Sequence, residues 1–245
     1  MRLLLLSNST APGRGFLEHA YEPISDVMAG GTRLVFFAHA SSDPDRYAEA
    51  MQASLETLGI EVIAAHRSDR IADSVAEAEA IFVGGGNSFR LLKAFHDLGL
   101  LDAVRDRVSN GMPYLGASAG SNLACPTIRT TNDMPIVEPP ALTALGLVPF
   151  QINPHYLDRD DAAPPGAETR DQRIREFLEE NDVPVVGLRE GAWIDVHAGA
   201  AVVGGPPGGR LFRRGAEPAE LHPGDDLTEL LTREPAYDSP LERLG

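Results

Sequence analysis

The chain has 245 residues, one cysteine, 43% hydrophobic residues and a formal net charge of −15. That length suffices for one large α/β domain with a sizeable core, and a single domain over residues 1–245 is the expectation. The acidic balance, without any run of lysine or arginine, argues against a nucleic-acid partner, and it repels acidic small molecules unless a local cation meets them.

Met1-Arg2 is followed by Leu3 to Leu6, and Ser7, Asn8 and Ser9 end this apolar run well short of the ~7–15 residues of an export core. A first buried strand is the better reading. No apolar stretch approaches the ~20 residues of a membrane span. Cys125 has no second cysteine to pair with, which suits a reducing compartment. The expectation is a cytoplasmic protein without membrane contact.

Further along, Arg33 to Ala38, Glu61 to Ala65, Ala80 to Val83 and Pro113 to Gly116 read as buried strands. Helical patterns lie between them. Asp43-Pro44 forms an N-cap and first-turn pair, after which Tyr47, Met51, Leu55 and Leu58 recur at helical spacing. Leu91, Leu92, Phe95 and Leu98 do the same after Asn87-Ser88. Such alternation implies a parallel sheet covered on both faces. The end of the chain differs: Val183 to Leu188, Ala192 to Val196, Ala200 to Val203 and Arg210 to Arg213 are short strands between Gly and Pro clusters, which suggests hairpins. Pro184 cannot donate to a ladder, so the first of them should pair from Val185 onward. The polar stretch Asp160 to Gly166 reads as an exposed loop.

Gly116-Ala117-Ser118-Ala119-Gly120 satisfies G-x-S-x-G between an apolar strand and a helix start. Small neighbours suit a tight turn that holds a serine in a strained backbone conformation and aims the Ala119 N–H at the oxygen of a tetrahedral intermediate. An ordinary βα turn or a phosphate loop would satisfy the same pattern. Gly84-Gly85-Gly86-Asn87 closes another strand, so bare N–H groups of Gly85 or Gly86 fall at the same sheet edge as a second oxyanion donor. The spacing is not G-x-G-x-x-G and no Walker lysine follows. Among seven histidines, His155 in Asn153-Pro154-His155-Tyr156 is placed as a group on a strand end. Two carboxylates compete as its partner, Asp133 and Glu190, the latter in a turn expected to close a hairpin. No metal-ligand spacing occurs, and neither a metal nor a cofactor is expected.

Ser118 to Asn122, the stretch Ala124 to Val137, Gln151 to His155, Gly166 to Arg175 and Gly187 to Trp193 together resemble the peptidase E, or aspartyl dipeptidase, family. The resemblance runs from the first strand to about Gly215. It implies a flavodoxin-like sheet akin to class I glutamine amidotransferases, and metal-independent hydrolysis of dipeptides with an N-terminal aspartate. It also implies Ser118 as nucleophile, His155 as base and Glu190 as third member, with oxyanion donors at Ala119 and at Gly85 or Gly86. Arg170 would meet the substrate β-carboxylate, and Asp133 and Asn87 are further candidate substrate contacts. Ala117, Ala192 and Arg189 depart from the family pattern. An independent sign agrees: Thr169-x-x-Gln172 is a capping box, so Arg170 falls at a first helical position, where a cation opposes the helix dipole unless an anion meets it.

Two other readings stay open. One is a relative acting on β-linked aspartyl bonds such as those of cyanophycin. The other is an inactive module that binds acidic dipeptides. In the tail from Leu221, the residues Leu227, Leu230 and Leu231 would pack as a short helix or serve a homodimer contact.

Overall fold

Leu3, Leu4, Leu5 and Leu6 are all fully buried, yet they face opposite ways, as alternate residues of a strand must. Leu3 and Leu5 enter one hydrophobic cluster, Leu4 and Leu6 another. A strand that is apolar on both faces belongs in the middle of a covered sheet, and this one, β1 (Arg2–Leu6), lies there. The computed structural model describes residues 1–158 and 168–239; the stretch 160–166, expected as a loop, lies outside the described residues.

The strands β2 (Arg33–Phe37), β3 (Glu61–Ala64), β4 (Ile81–Val83) and β5 (Tyr114–Ala117) pair in parallel with one another and with β1. With β8 (Trp193–His197) and β9 (Ala200–Gly204) they form a seven-stranded sheet ordered β3-β2-β4-β5-β1-β8-β9. Its run β3-β2-β4-β5 reproduces the 2-1-3-4 order of flavodoxin-like sheets, with β1 in fifth place. Helices α1 (Tyr21–Met28) and α2 (Pro44–Leu55) cover one face through Ile24, Val27, Met51 and Leu55. On the other face lie α3 (Ile71–Glu77), α4 (Ser88–Asp97), α5 (Leu100–Ser109) and α6 (Ala119–Ala124), which contribute Val75, Leu91, Phe95, Val104 and Leu123.

A second sheet of four strands, in the order β11-β10-β7-β6, is made of β6 (Gln151–Tyr156), β7 (Val185–Arg189), β10 (Gly209–Phe212) and β11 (Ala219–Leu221). Helix α7 (Arg170–Glu180) packs on it through Ile174 and Leu178. The expected hairpin forms for β8–β9, and β10 pairs with β11, a strand the sequence pattern does not announce. The strands β7 and β8 do not pair. The chain crosses between the two sheets at Glu190, and β7 lies parallel to β6 while β8 runs antiparallel to β1. The reason is burial. Val185 to Leu188 are buried without alternation, whereas β8 alternates, so the two strands need different surroundings. Leu227 and Leu230 of the tail are buried in the main core, in and beside a 3₁₀ turn at Thr228–Thr232.

The free edge of β6 is closed by side chains. Asn122 and Thr130 donate to the Ile152 carbonyl at 3.1 and 2.9 Å, and Asn132 donates to the Pro154 carbonyl at 2.8 Å. The polar segment after α6 thus stands in for a neighbouring strand and ties the two sheets together. Tight contact does the same inside the larger sheet: a Cβ on Gly120 would lie 2.1 Å from the Val83 carbonyl oxygen. Gly120→Ala should therefore destabilise the fold by roughly 1–3 kcal/mol through overpacking, read as a lower urea midpoint at unchanged m-value. An unaltered midpoint would contradict this contact.

Candidate active site

Ser118 occupies the turn from β5 into α6 with φ 53° and ψ −109°, a conformation that costs an L-residue about 1–3 kcal/mol. The surroundings enforce it. Its N–H donates to the Leu6 carbonyl at 3.0 Å, and its own carbonyl accepts from Ser121 and Asn122. A Cβ on Gly116 would lie 2.7 Å from Gly120, so only a residue without a side chain lets the turn close.

His155 is also outside ordinary strand geometry, at φ 53°. The β6–β7 register pairs Pro154 with Leu188 and then Tyr156 with Arg189, leaving His155 as an extra residue in a bulge. A bulge re-aims one side chain, and here the imidazole turns toward the larger sheet. His155 Nε2 lies 2.8 Å from Ser118 Oγ, and His155 Nδ1 lies 2.7 Å from Glu190 Oε1. A carboxylate accepts only, so Nδ1 carries the proton and Nε2 is left to accept from the serine hydroxyl. The His155 and Glu190 side chains are 40% and 38% exposed, which leaves the line open to a ligand.

Of the two competing carboxylates, Glu190 is thus the one on the histidine. Asp133 Oδ2 instead accepts from the Ser88 N–H and hydroxyl, each at 2.7 Å, and from Thr131 at 3.0 Å. It anchors the start of α4, where a negative charge suits the helix dipole. Asn87 is occupied too: its Oδ1 caps α4 on Arg90, and its Nδ2 donates to the Met134 carbonyl.

The glycine loop lies against the serine, with a Cβ on Gly85 at 3.2 Å from Ser118 Cβ. The Gly85 N–H is already used, donating to the Tyr47 hydroxyl at 2.9 Å. The N–H groups of Gly86 and Ala119 have no partner among the described residues. Tyr47 also packs its ring on Gly84 and contacts Ser9 through its hydroxyl. In the sequence, Tyr47 reads only as one apolar position of α2.

The capping box at Thr169 and Gln172 is present, with Arg170 at the first position of α7. Arg170 is partly buried and makes no hydrogen bond or ion pair with a described residue. Burial pulls its guanidinium below the ordinary value and Arg173 adds to that, while Asp133 and Glu168 oppose it. Arg189 is fully engaged. It meets both oxygens of Asp158 at 2.7 and 2.8 Å and binds Glu220, which raises its pKa further and fixes the end of β7 just before Glu190.

A serine on a strained strand–helix turn, a histidine within reach and a carboxylate behind it form the arrangement that a serine hydrolase requires. The comparisons with known proteins agree. The model of peptidase family S51 matches residues 3–203. Peptidase E of Streptomyces coelicolor is 54% identical, with 98% of each chain covered, and peptidase E of Salmonella arizonae is 48% identical over 91% of this chain and 99% of its own. A structure solved as a peptidase E protein of Listeria monocytogenes EGD-e shares the fold with a TM-score of 0.64 at 22% identity, covering 83% of this chain and 98% of its own. The chain belongs to peptidase family S51 and is a serine-type peptidase.

Cys125, at the far end of α6 from Ser118, is buried, and burial pushes its thiol up to about 12. Such a thiol is protonated at pH 8 and unreactive. Iodoacetamide at pH 8 should leave activity intact and label Cys125 only after unfolding. Rapid inactivation by the reagent would contradict this.

Proposed function

We propose that the protein hydrolyses dipeptides with an N-terminal aspartate, with Ser118 as nucleophile, His155 as general base and then acid, and Glu190 holding His155. The observation that carries this reading is the continuous hydrogen-bonded line Ser118–His155–Glu190. Ser118 Oγ attacks the peptide carbonyl as its proton passes to His155 Nε2. The imidazolium, stabilised by Glu190, returns the proton to the leaving amine and releases the second residue. Water then repeats the sequence on the aspartyl-enzyme. The N–H groups of Ala119 and Gly86 are the donors for the oxyanion, because the Gly85 N–H is held by Tyr47. Loss of Ser118 Oγ should be close to total. Ser118→Ala should lower kcat by about 10⁶, and Glu190→Gln by roughly 10²–10⁴ through the wrong imidazole tautomer. More than a few per cent of activity in the alanine variant would overturn the assignment.

Selectivity for aspartate requires a cation, since the chain carries −15 overall. Arg170 fits, being partly desolvated and held in no ion pair or hydrogen bond among the described residues, with Asp133 and Glu168 acting on it only from a distance. A guanidinium can hold the β-carboxylate by two parallel hydrogen bonds. Arg170→Met should reduce kcat/KM for Asp-Leu by roughly 10²–10³ and affect Asn-Leu far less, because the latter has no charge to lose. An equal fall on both dipeptides would remove Arg170 from the pocket. Faster turnover of β-linked than of α-linked aspartyl dipeptides would redirect the assignment to the cyanophycin-like chemistry.

A further inference from the structure

The bulge that re-aims His155 leaves its backbone N–H without a carbonyl on β7. Ser7, the first residue after β1, takes that place. Its Oγ accepts from the His155 N–H at 2.9 Å and donates to the Leu188 carbonyl at 2.7 Å, so one hydroxyl bridges the gap opened in the ladder. Ser7 is fully buried, and its own N–H donates to the Ala192 carbonyl at 3.0 Å. The next residue performs the equivalent task for the acid. Asn8 Oδ1 accepts from the Gly191 N–H at 2.8 Å, and its Nδ2 donates to the Thr10 carbonyl at 2.6 Å. Asn8 is 3% exposed, so water does not replace these partners. Leu6, just before, already holds the Ser118 N–H.

Three consecutive residues at the end of β1 therefore grip the backbone at or beside Ser118, His155 and Glu190. We propose that Ser7 and Asn8 are positioning residues, which fix the imidazole and the carboxylate in line with Ser118 without touching substrate. The proposal rests on the triad reading given above. Removing the Ser7 hydroxyl takes this partner from the buried Leu188 carbonyl and the partly buried His155 N–H, and frees His155 to relax from its positive-φ conformation. Relaxation of that kind displaces Nε2 from Ser118 Oγ, and a misplacement of about 1 Å at a reacting group costs on the order of 10² in rate. Substrate binding uses other groups and should be spared.

The test is Ser7→Ala, with Asn8→Ala as an independent second variant. Each is assayed on Asp-Leu, with kcat normalised to the Ser118 sites titrated by a fluorophosphonate. In both variants, kcat per titrated site should fall about 10- to 100-fold while KM stays within about twofold. A wild-type kcat per site in both would overturn the proposal, even if melting temperature or the titratable fraction drops, because that is the signature of a merely structural residue. A raised KM at unchanged kcat would overturn it as well. Failure of the triad reading looks different: wild-type enzyme would then hydrolyse Asp-Leu without any label reaching Ser118.

Discussion

The hydrogen bond between Ser118 Oγ and His155 Nε2 joins groups carried by two different sheets. A bond of 2.8 Å tolerates only a few tenths of an ångström, so the sheets must be fixed to one another with the accuracy of a packed core. Three sets of contacts supply that. Asn122, Thr130 and Asn132 bind the carbonyls along β6. The end of β1 reaches His155 and the Glu190 turn. Arg189 clamps the ends of β6 and β7 through Asp158. Each is a polar group satisfied over a long sequence distance, and together they explain why the segment after α6 is rich in Asn and Thr although it forms no regular element.

Both side chains to which the proposed reaction falls project from strained backbone, Ser118 and His155 each at φ 53°. Neither strain is maintained by its own turn alone. The serine is held by Leu6 and by the absence of side chains on Gly116 and Gly120, the histidine by a bulge whose vacant position Ser7 fills. Strain of this kind persists only where the surroundings over-determine it, and it exposes a side chain that an ordinary strand would direct into the core or the ladder. The proposed chemistry benefits, because the geometry is set before a ligand arrives and needs no reorganisation during reaction.

Much of this was legible in the sequence. The strands β1, β2, β4 and β5 announce themselves because burial on both faces turns them into continuous apolar runs, whereas β3, read as buried from its sequence, lies at the sheet edge and is only partly covered. The G-x-S-x-G turn is visible because tight geometry admits only small residues around Ser118. The choice between Asp133 and Glu190 was not legible from residue patterns. It depends on the chain crossing between sheets after Arg189, which the sequence presents as a hairpin turn. The division of labour in the glycine loop was hidden as well, since Tyr47 shows itself only as a helix position while its hydroxyl takes the Gly85 N–H. Ser7 and Asn8 read as polar residues that merely end an apolar run. Their partners His155 and Gly191 lie 148 and 183 residues away, beyond any local pattern.

The electrostatic design follows from the same economy. An acidic chain that is to take the proposed acidic substrate must keep a cation in reserve, and several of the described arginines are already paired with carboxylates, as Arg67, Arg105, Arg173, Arg189 and Arg213 are. Arg170 has no such partner among the described residues. The central claim, that the two sheets assemble one nucleophile at Ser118, is tested most directly by covalent labelling. The protein is treated with a fluorophosphonate, residual activity is followed, and the modified peptide is mapped by mass spectrometry. The account predicts one equivalent bound, on Ser118, with activity lost in proportion to labelling. Inactivation with the label on another residue, or full activity after complete modification of Ser118, would contradict it.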